Sequence, residues 1–475
     1  MPSQGLKSTP ISCFISLFFI LSILSKVDGF GVNWGTAASH PLPPSKVAEL
    51  LKANNIAKVK LFDANPLVLQ SLSGSSIRVT VGIPNYMLRS LNSSLKIAED
   101  WVHDNLTRYV SNGASRVLID VGDEPFLQSY GEQFYPFLVG AATNIQTALY
   151  RANLAQRVKV VAPCSFDVFL SESNLPSKAR FRPDVNRTMI ELLTFLNKQK
   201  SPFFVSISPF QMYHENKNLS LDFALFRETA HARNDSHKTY KNSFDLSFDT
   251  VTSALSIAGF PQIDVVVGQI GWPTDGAPNA TSSIAEEFMK GLIAKSSKHQ
   301  DLPTEMYIFS LFDEDKRSIA SGNFERHWGV FTFDGQAKYR VDFGSKILVN
   351  AQDVQYLSPR WCVVNNNKDL SNASSLALEA CAAADCSAVS LGGSCFNLSW
   401  PGNISYAFNS YYQQHDQNAE SCDFAGMGLI TTVDPSVGSC RFFVGLRTSI
   451  SSIHKSAIFC WMMPPMTTIF LWLRW

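Results

Sequence analysis

The chain lacks an excess of charge of either sign. Lys+Arg and Asp+Glu both number 40 in 475 residues, so the formal net charge is zero. No basic patch or stripe of the kind nucleic acid requires follows from such a balance. Charged residues are only 17% and hydrophobic ones 45%, which excludes a disordered chain. No C-x2-C pair with a histidine partner is present, so a zinc site has little support. No G-x-G-x-x-G follows the first predicted strand, which argues against a dinucleotide-binding sheet. Nothing in the sequence calls for a metal or a cofactor.

The two ends carry what resembles targeting information. Lys7 precedes an apolar run over 11–24, too short to span a bilayer comfortably. Residues 1–29 therefore read as a secretory signal cleaved between Ser25 and Gly29; an uncleaved anchor is the alternative. Nine N-x-[ST] sequons, at Asn92, Asn105, Asn186, Asn218, Asn234, Asn279, Asn372, Asn397 and Asn403, fit a glycosylated extracellular surface. The tail, 443–475, holds a terminal apolar run over 457–473 behind a serine-rich stretch, as a GPI-attachment signal does. The polar spacer is short, and Pro464-Pro465 breaks the run. Membrane attachment through a GPI anchor and a plain tail both stay open.

Cysteine placement divides the chain. Of nine cysteines, Cys164 stands alone in the large N-terminal region and reads as a small buried hydrophobe. Six others (Cys362, Cys381, Cys386, Cys395, Cys422 and Cys440) crowd into one short region. In a secreted chain that density means a small disulfide-stapled module. Spacing alone allows fifteen pairings of six cysteines. The domain limits expected are 30–345, a linker over 346–360 and the module over 361–442.

In the large region, strand-like runs alternate with helical ones. Strands are predicted over 30–34, 58–62, 78–83, 116–121, 158–162, 203–208, 264–269 and 305–311. Helices are predicted over 45–54, 94–111, 135–152, 185–197, 248–258 and 282–296. Eight strands with intervening helices predict an α/β fold, a (β/α)8 TIM barrel, with an open doubly wound sheet as the rival. In a barrel, chemistry sits at the carboxyl ends of the strands. There the chain places Asp123-Glu124 after the fourth strand and Gln269-Ile270-Gly271-Trp272 at the end of the seventh. Glu314, Arg317 and Glu325 follow the eighth. Carboxylates, cations and rings on one rim suit a polysaccharide cleft.

These segments carry a family resemblance. GVNWG (31–35), VKLFDAN (59–65), VGDE (121–124), GWPTDG (271–276), YIFSLFDED (307–315) and ERHWGVF (325–331) resemble plant glycoside hydrolase family 17, the glucan endo-1,3-β-glucosidases. Residues 361–442 resemble a family 43 carbohydrate-binding module through WC (361–362), AADC (383–386), SYAFNSYYQ (405–413), SCDF (421–424) and ITTVDPSVGSC (430–440). The resemblance implies retaining hydrolysis of β-1,3-glucan (callose) outside the cell or in its wall, by a chain expected to be monomeric. It implies the pairs Cys362–Cys422, Cys381–Cys386 and Cys395–Cys440. It makes Glu124 the general acid/base. The nucleophile position falls on Gln269, where the family has Glu, and Asp123 stands where the family usually has Asn. Glu314 and Glu325 match cleft carboxylates, and Arg317 sits where the family often has Lys. Phe62 sits where some relatives have Tyr. Trp272 is a sugar platform or a cap on the barrel end. With Gln269 in place, hydrolysis is expected to be weak or absent, and a binding protein that holds glucan without cutting it is the alternative.

Overall fold

The computed structural model describes residues 30–447, except 108, 110–116, 172–174, 297–302, 304 and 344–345. The expected signal segment, 1–29, and the tail from 448 onward lie outside the described residues.

Eight parallel strands form the barrel: β1 Gly31–Trp34, β2 Lys58–Leu61, β3 Arg78–Ile83, β4 Val117–Val121, β5 Val158–Val161, β6 Phe203–Ser206, β7 Val265–Ile270 and β8 Glu305–Ile308. Each pairs with its sequence neighbour from β1 to β5 and from β6 to β8, and β8 returns to β1. The ring closes through a break in the fifth strand. Its first part pairs with β4, and its continuation Pro163–Cys164 pairs with β6. The break falls at a proline, which has no amide hydrogen to give a ladder.

The strands divide into two kinds. Outward-facing Val59, Leu61, Val79, Val81, Ile119 and Val121 pack with helices in one large core. Inward-facing residues of β5 to β8 make a second apolar layer of Val161, Phe204, Val266 and Tyr307. The inward positions of β1 to β4 are polar instead: Asn33, Lys58, Lys60, Thr80 and Asp120 are all buried. Lys60 Nζ lies 3.0 Å from Asp120 Oδ2 and 3.9 Å from Asp123 Oδ1. It also sits 4.4 Å from the Phe62 ring centroid. Asn33 donates from one amide to Gly268 O at 3.0 Å and Ile308 O at 3.2 Å, tying β1 to β7 and β8. The barrel is thus held by apolar packing on one side and by buried ions and amides on the other.

Helix ends follow local capping chemistry. The helix predicted over 248–258 runs Ser243–Ile257, because Asn242 accepts from Asp245 N at 2.8 Å and starts it earlier. The one predicted over 94–111 is regular only over Leu95–Val102, then widens into a π-turn over His103–Thr107.

In the C-terminal module, β9 Trp361–Val364 pairs antiparallel with β10 Gly428–Thr431. Helices Ala373–Ala383 and Gly402–Gln414 pack beside them. Three disulfides close it: Cys362–Cys422, Cys381–Cys386 and Cys395–Cys440. Phe408 and Tyr412 form its core. The connecting residues are tied to the barrel. Leu348 and Leu446 are buried in the barrel's own core, and Leu357 N donates to Gly445 O at 2.9 Å.

A buried ion pair costs most when only one partner is removed. Lys60→Met should destabilise the barrel by about 3–5 kcal/mol, and adding Asp120→Leu should recover most of that loss. Denaturant unfolding of the two variants checks this.

Candidate active site

At the carboxyl ends of β4 to β8 the barrel opens into a cleft of about 730 Å³. Asp123, Glu124, Ser206, Gln269, Phe309, Arg317, Glu325 and Trp328 line it. Glu124 reaches it through a tight turn: Gly122 has φ 83° and Glu124 itself φ 48°. A glutamate in the left-handed region is strained, and such residues cluster at functional sites. The turn is held by Asn85, which accepts from Asp123 N at 2.9 Å and donates to Asp123 O at 2.7 Å.

Gln269 reaches the cleft through a bulge. The β7 register slips against β6 between Val267 and Gln269, and against β8 between Val267 and Ile270. Such bulges re-aim side chains next to active sites. Glu124 and Gln269 therefore meet in one cleft from strands three apart.

Burial pushes the Glu124 carboxyl up to about 7 from 4.5, and the Asp123 charge adds to the rise. Ser206, Lys60 and Arg317 act against it. The group therefore keeps its proton to higher pH than an ordinary carboxyl, as a proton donor must. The same shift sets a stability window. Below about 4.5 the carboxyl is protonated in both folded and unfolded chains. As pH rises from there to about 7, the unfolded chain releases a proton that the fold retains, so this group lowers stability across that window.

Arg317 organises the eighth-strand loop. Its Nε donates to Glu325 Oε2 at 3.2 Å, and its Nη1 lies 3.5 Å from Glu314 Oε2. Its guanidinium carbon sits 4.6 Å from the Phe309 ring centroid. Burial opposes the charge, but Glu314 and Glu325 outweigh it. Glu314 is 5% exposed and is not part of the cleft lining. One of its oxygens accepts from Ala37 N at 2.9 Å. A Cβ at Gly35 would lie 2.1 Å from that oxygen, so any other residue there would have to push the carboxylate off Ala37 N. The residue expected to touch sugar instead stands behind Arg317. Burial pushes its carboxyl upward against the Arg317 charge.

Two aromatic expectations also change. Trp272 is a cap, not a platform: it is 1% exposed. Its Nε1 donates to Asn279 O at 2.9 Å, and its ring packs against Phe210 and Phe288. Phe62 stands behind the cleft, edge-on to Phe309. Phe309 and Trp328 are among the rings that line the cleft; Trp328 is only 6% exposed, with Nε1 3.3 Å from Glu325 Oε2. It lies inside ERHWGVF, so its motif was visible while its direction was not. Tyr130, Phe166 and Gln211 also line the cleft, and no sequence motif marked them.

Removing the like charge beside Glu124 should lower its midpoint. Asp123→Asn should bring the titration below that of the wild type yet leave it above 4.5, because burial is the larger cause. Carboxyl-resolved NMR of both proteins measures it.

Comparison with known proteins agrees with this fold. Residues 30–343 match the model of glycosyl hydrolases family 17, and 360–429 match the X8 domain. Glucan endo-1,3-beta-glucosidase 9 of Arabidopsis thaliana is 64% identical over 440 residues, covering 91% of this chain and 92% of that protein. Glucan endo-1,3-beta-glucosidase 5 of the same plant is 41% identical, covering 92% and 93%. Among solved structures, CJP38, a beta-1,3-glucanase and allergen of Cryptomeria japonica pollen, is 34% identical with a TM-score of 0.63, covering 67% of this chain and all of that one. With a barrel of this topology and a family match over most of its length, the chain belongs to glycosyl hydrolase family 17 and carries a C-terminal X8 domain, a family 43 carbohydrate-binding module.

Proposed function

We propose that the cleft takes β-1,3-glucan and that hydrolysis there is weak or absent. The observation that carries this reading is Gln269 on the β7 bulge, in the cleft that holds Glu124. Retaining hydrolysis needs an acid/base carboxyl and a nucleophilic carboxylate about 5–5.5 Å apart. Glu124, protonated up to about 7, suits the first role. It would give its proton to the glycosidic oxygen as the bond to the anomeric carbon breaks. The second role needs a negative group that can bond to that carbon. A carboxamide is neutral and a poor nucleophile. Its presence should cost about 4–6 decades in rate, or roughly 5–8 kcal/mol of barrier.

Binding does not need the nucleophile. Arg317, Glu325 and Trp328 give the cleft donors, acceptors and a ring, which together suit a sugar chain. The names of the similar proteins support a glucan with 1,3-β linkages. The X8 domain supports a second glucan contact on the same chain. The apolar N-terminal segment, the sequons and the disulfides support a place outside the cell, in or near the wall. A protein that only binds glucan is the second reading, and the same glutamine favours it.

Reducing-end release from laminarin tests the proposal. Wild type should turn over little or nothing. Gln269→Glu should regain modest retaining activity, blunted because its carboxylate would join Asp123 in the cleft and one of the two would hold a proton. Adding Asp123→Asn should raise activity further, with a non-additive gain. Wild-type turnover at ordinary glycosidase rates would overturn the reading of Gln269.

A further inference from the structure

Four consecutive residues at the cleft mouth divide between two neighbours. Glu325 and Trp328 line the cleft. Arg326 and His327, between them, hold the C-terminal module. Arg326 Nη1 donates to Asp385 Oδ1 at 3.1 Å and to Ala384 O at 3.4 Å. His327 Nε2 lies 2.6 Å from Ser387 Oγ. The same Arg326 donates from Nε to the backbone carbonyl of Arg317 at 3.0 Å. One guanidinium thus links the module to the backbone of the cleft's own cation.

Both sides of this link are fixed. Asp385 accepts from Ser387 N at 3.0 Å and from Ser387 Oγ at 2.5 Å. Its carbonyl accepts from Ser410 Oγ at 2.6 Å, and the Cys381–Cys386 disulfide lies next to it. On the barrel, His327 O accepts from Thr274 N at 2.9 Å, which joins the β8 loop to the β7 loop. The β7 loop has its own anchor. Asp275 accepts from Ser394 N at 2.7 Å and from Ser394 Oγ at 2.5 Å. A Cβ at Gly392 would lie 2.2 Å from Pro278 N, so the module's backbone rests directly on that loop. The side chains of Arg326 and Asp385 are only 16% and 18% exposed, so salt screens the pair less than a surface pair. A third anchor, His40 Nε2 to Asp416 Oδ1 at 2.9 Å, joins the module to the first strand's loop through an aspartate that is 72% exposed.

We propose that the module is a brace of the cleft: Asp385, acting through Arg326, positions Arg317, Glu325 and Trp328, so module docking and β-1,3-glucan binding in the cleft are coupled. Asp385 is a positioning residue and touches no sugar in the cleft. The inference rests on the reading of the cleft as a β-1,3-glucan site. The two states are the docked and the released module. A sugar that prefers the docked arrangement must strengthen docking by the factor by which docking strengthens the sugar.

Calorimetry with laminarihexaose on the full chain tests this. Asp385→Ala should weaken binding at one site roughly 5- to 10-fold. Asp385→Asn, which keeps an oxygen for Arg326, should recover most of it. Arg326→Gln should match Asp385→Ala, and the double variant should be no worse than either single one, because both cut the same link. Asp416→Ala, which cuts the more exposed third anchor, should weaken binding less than Asp385→Ala. A binding site on the module itself, seen as a second site, should keep its affinity. Amide exchange over 317–328 should quicken more in Asp385→Ala and Arg326→Gln than in Asp416→Ala. Additive losses, or unchanged exchange over 317–328, would overturn the coupling. If Asp385→Ala fails to fold, Arg326→Gln carries the test from the barrel side. If wild type takes no hexaose, the glucan reading fails, and the exchange data still decide the coupling.

Discussion

A half-buried guanidinium organises the mouth of this barrel. Arg317 is held by Glu325, faced by Glu314 and set against the Phe309 ring. A charge in that position is costly unless each neighbour compensates it. The compensation reaches far along the chain. Glu314 needs Gly35 to lack a side chain and takes the amide hydrogen of Ala37, so the first strand's loop is drawn in. Glu325 also accepts from Trp328 Nε1, so one of the rings lining the cleft is oriented by the carboxylate that holds the cation. Arg326 takes the Arg317 carbonyl, so the module is drawn in as well. Two loops and a second domain meet at one ion.

The barrel was legible in the sequence because its outward residues are strongly apolar and its helices fall between strands in order. The polar character of its first half was also written there: VKLF places Lys60 opposite in face to Val59 and Leu61. Reading the strands as continuous apolar runs suits β5 to β8 and misses the alternation in β1 to β4. The break at Ala162-Pro163 was marked only by a proline, which says that a ladder fails but not which neighbour each half joins.

The site was legible as a set of motifs and not as a set of directions. Trp272 and Trp328 both follow barrel strands and both sit in recognisable segments. Only the loop path decides that one gives its indole hydrogen to Asn279 O and disappears, while the other faces the cleft. Glu314 and Glu325 differ in the same way, one behind Arg317 and one in front. Docking of the module was less legible still. Arg326 and Asp385 lie in different domains, and no local pattern announces that they meet.

The two departures from the family pattern belong together physically. Asn to Asp at 123 and Glu to Gln at 269 leave the formal charge of the cleft unchanged but move it from the β7 side to the β4 side. On the β4 side the charge meets Lys60, whose ammonium is 3.9 Å from Asp123 and already paired with Asp120. Burial alone would drive that ammonium to lose its proton, and Asp120, Asp123 and Glu124 together reverse the direction. The moved charge is therefore tolerated by the barrel interior. Its chemical effect is another matter. Beside Glu124 it favours the protonated acid, which keeps the proton donor in place. On the reading proposed above, a charge held away from Gln269 would not reach the anomeric carbon. The exchange would then retain a carboxyl that can protonate a glycosidic oxygen and give up the group that would capture the sugar, which is why the proposed role is to hold a glucan chain rather than to cut it.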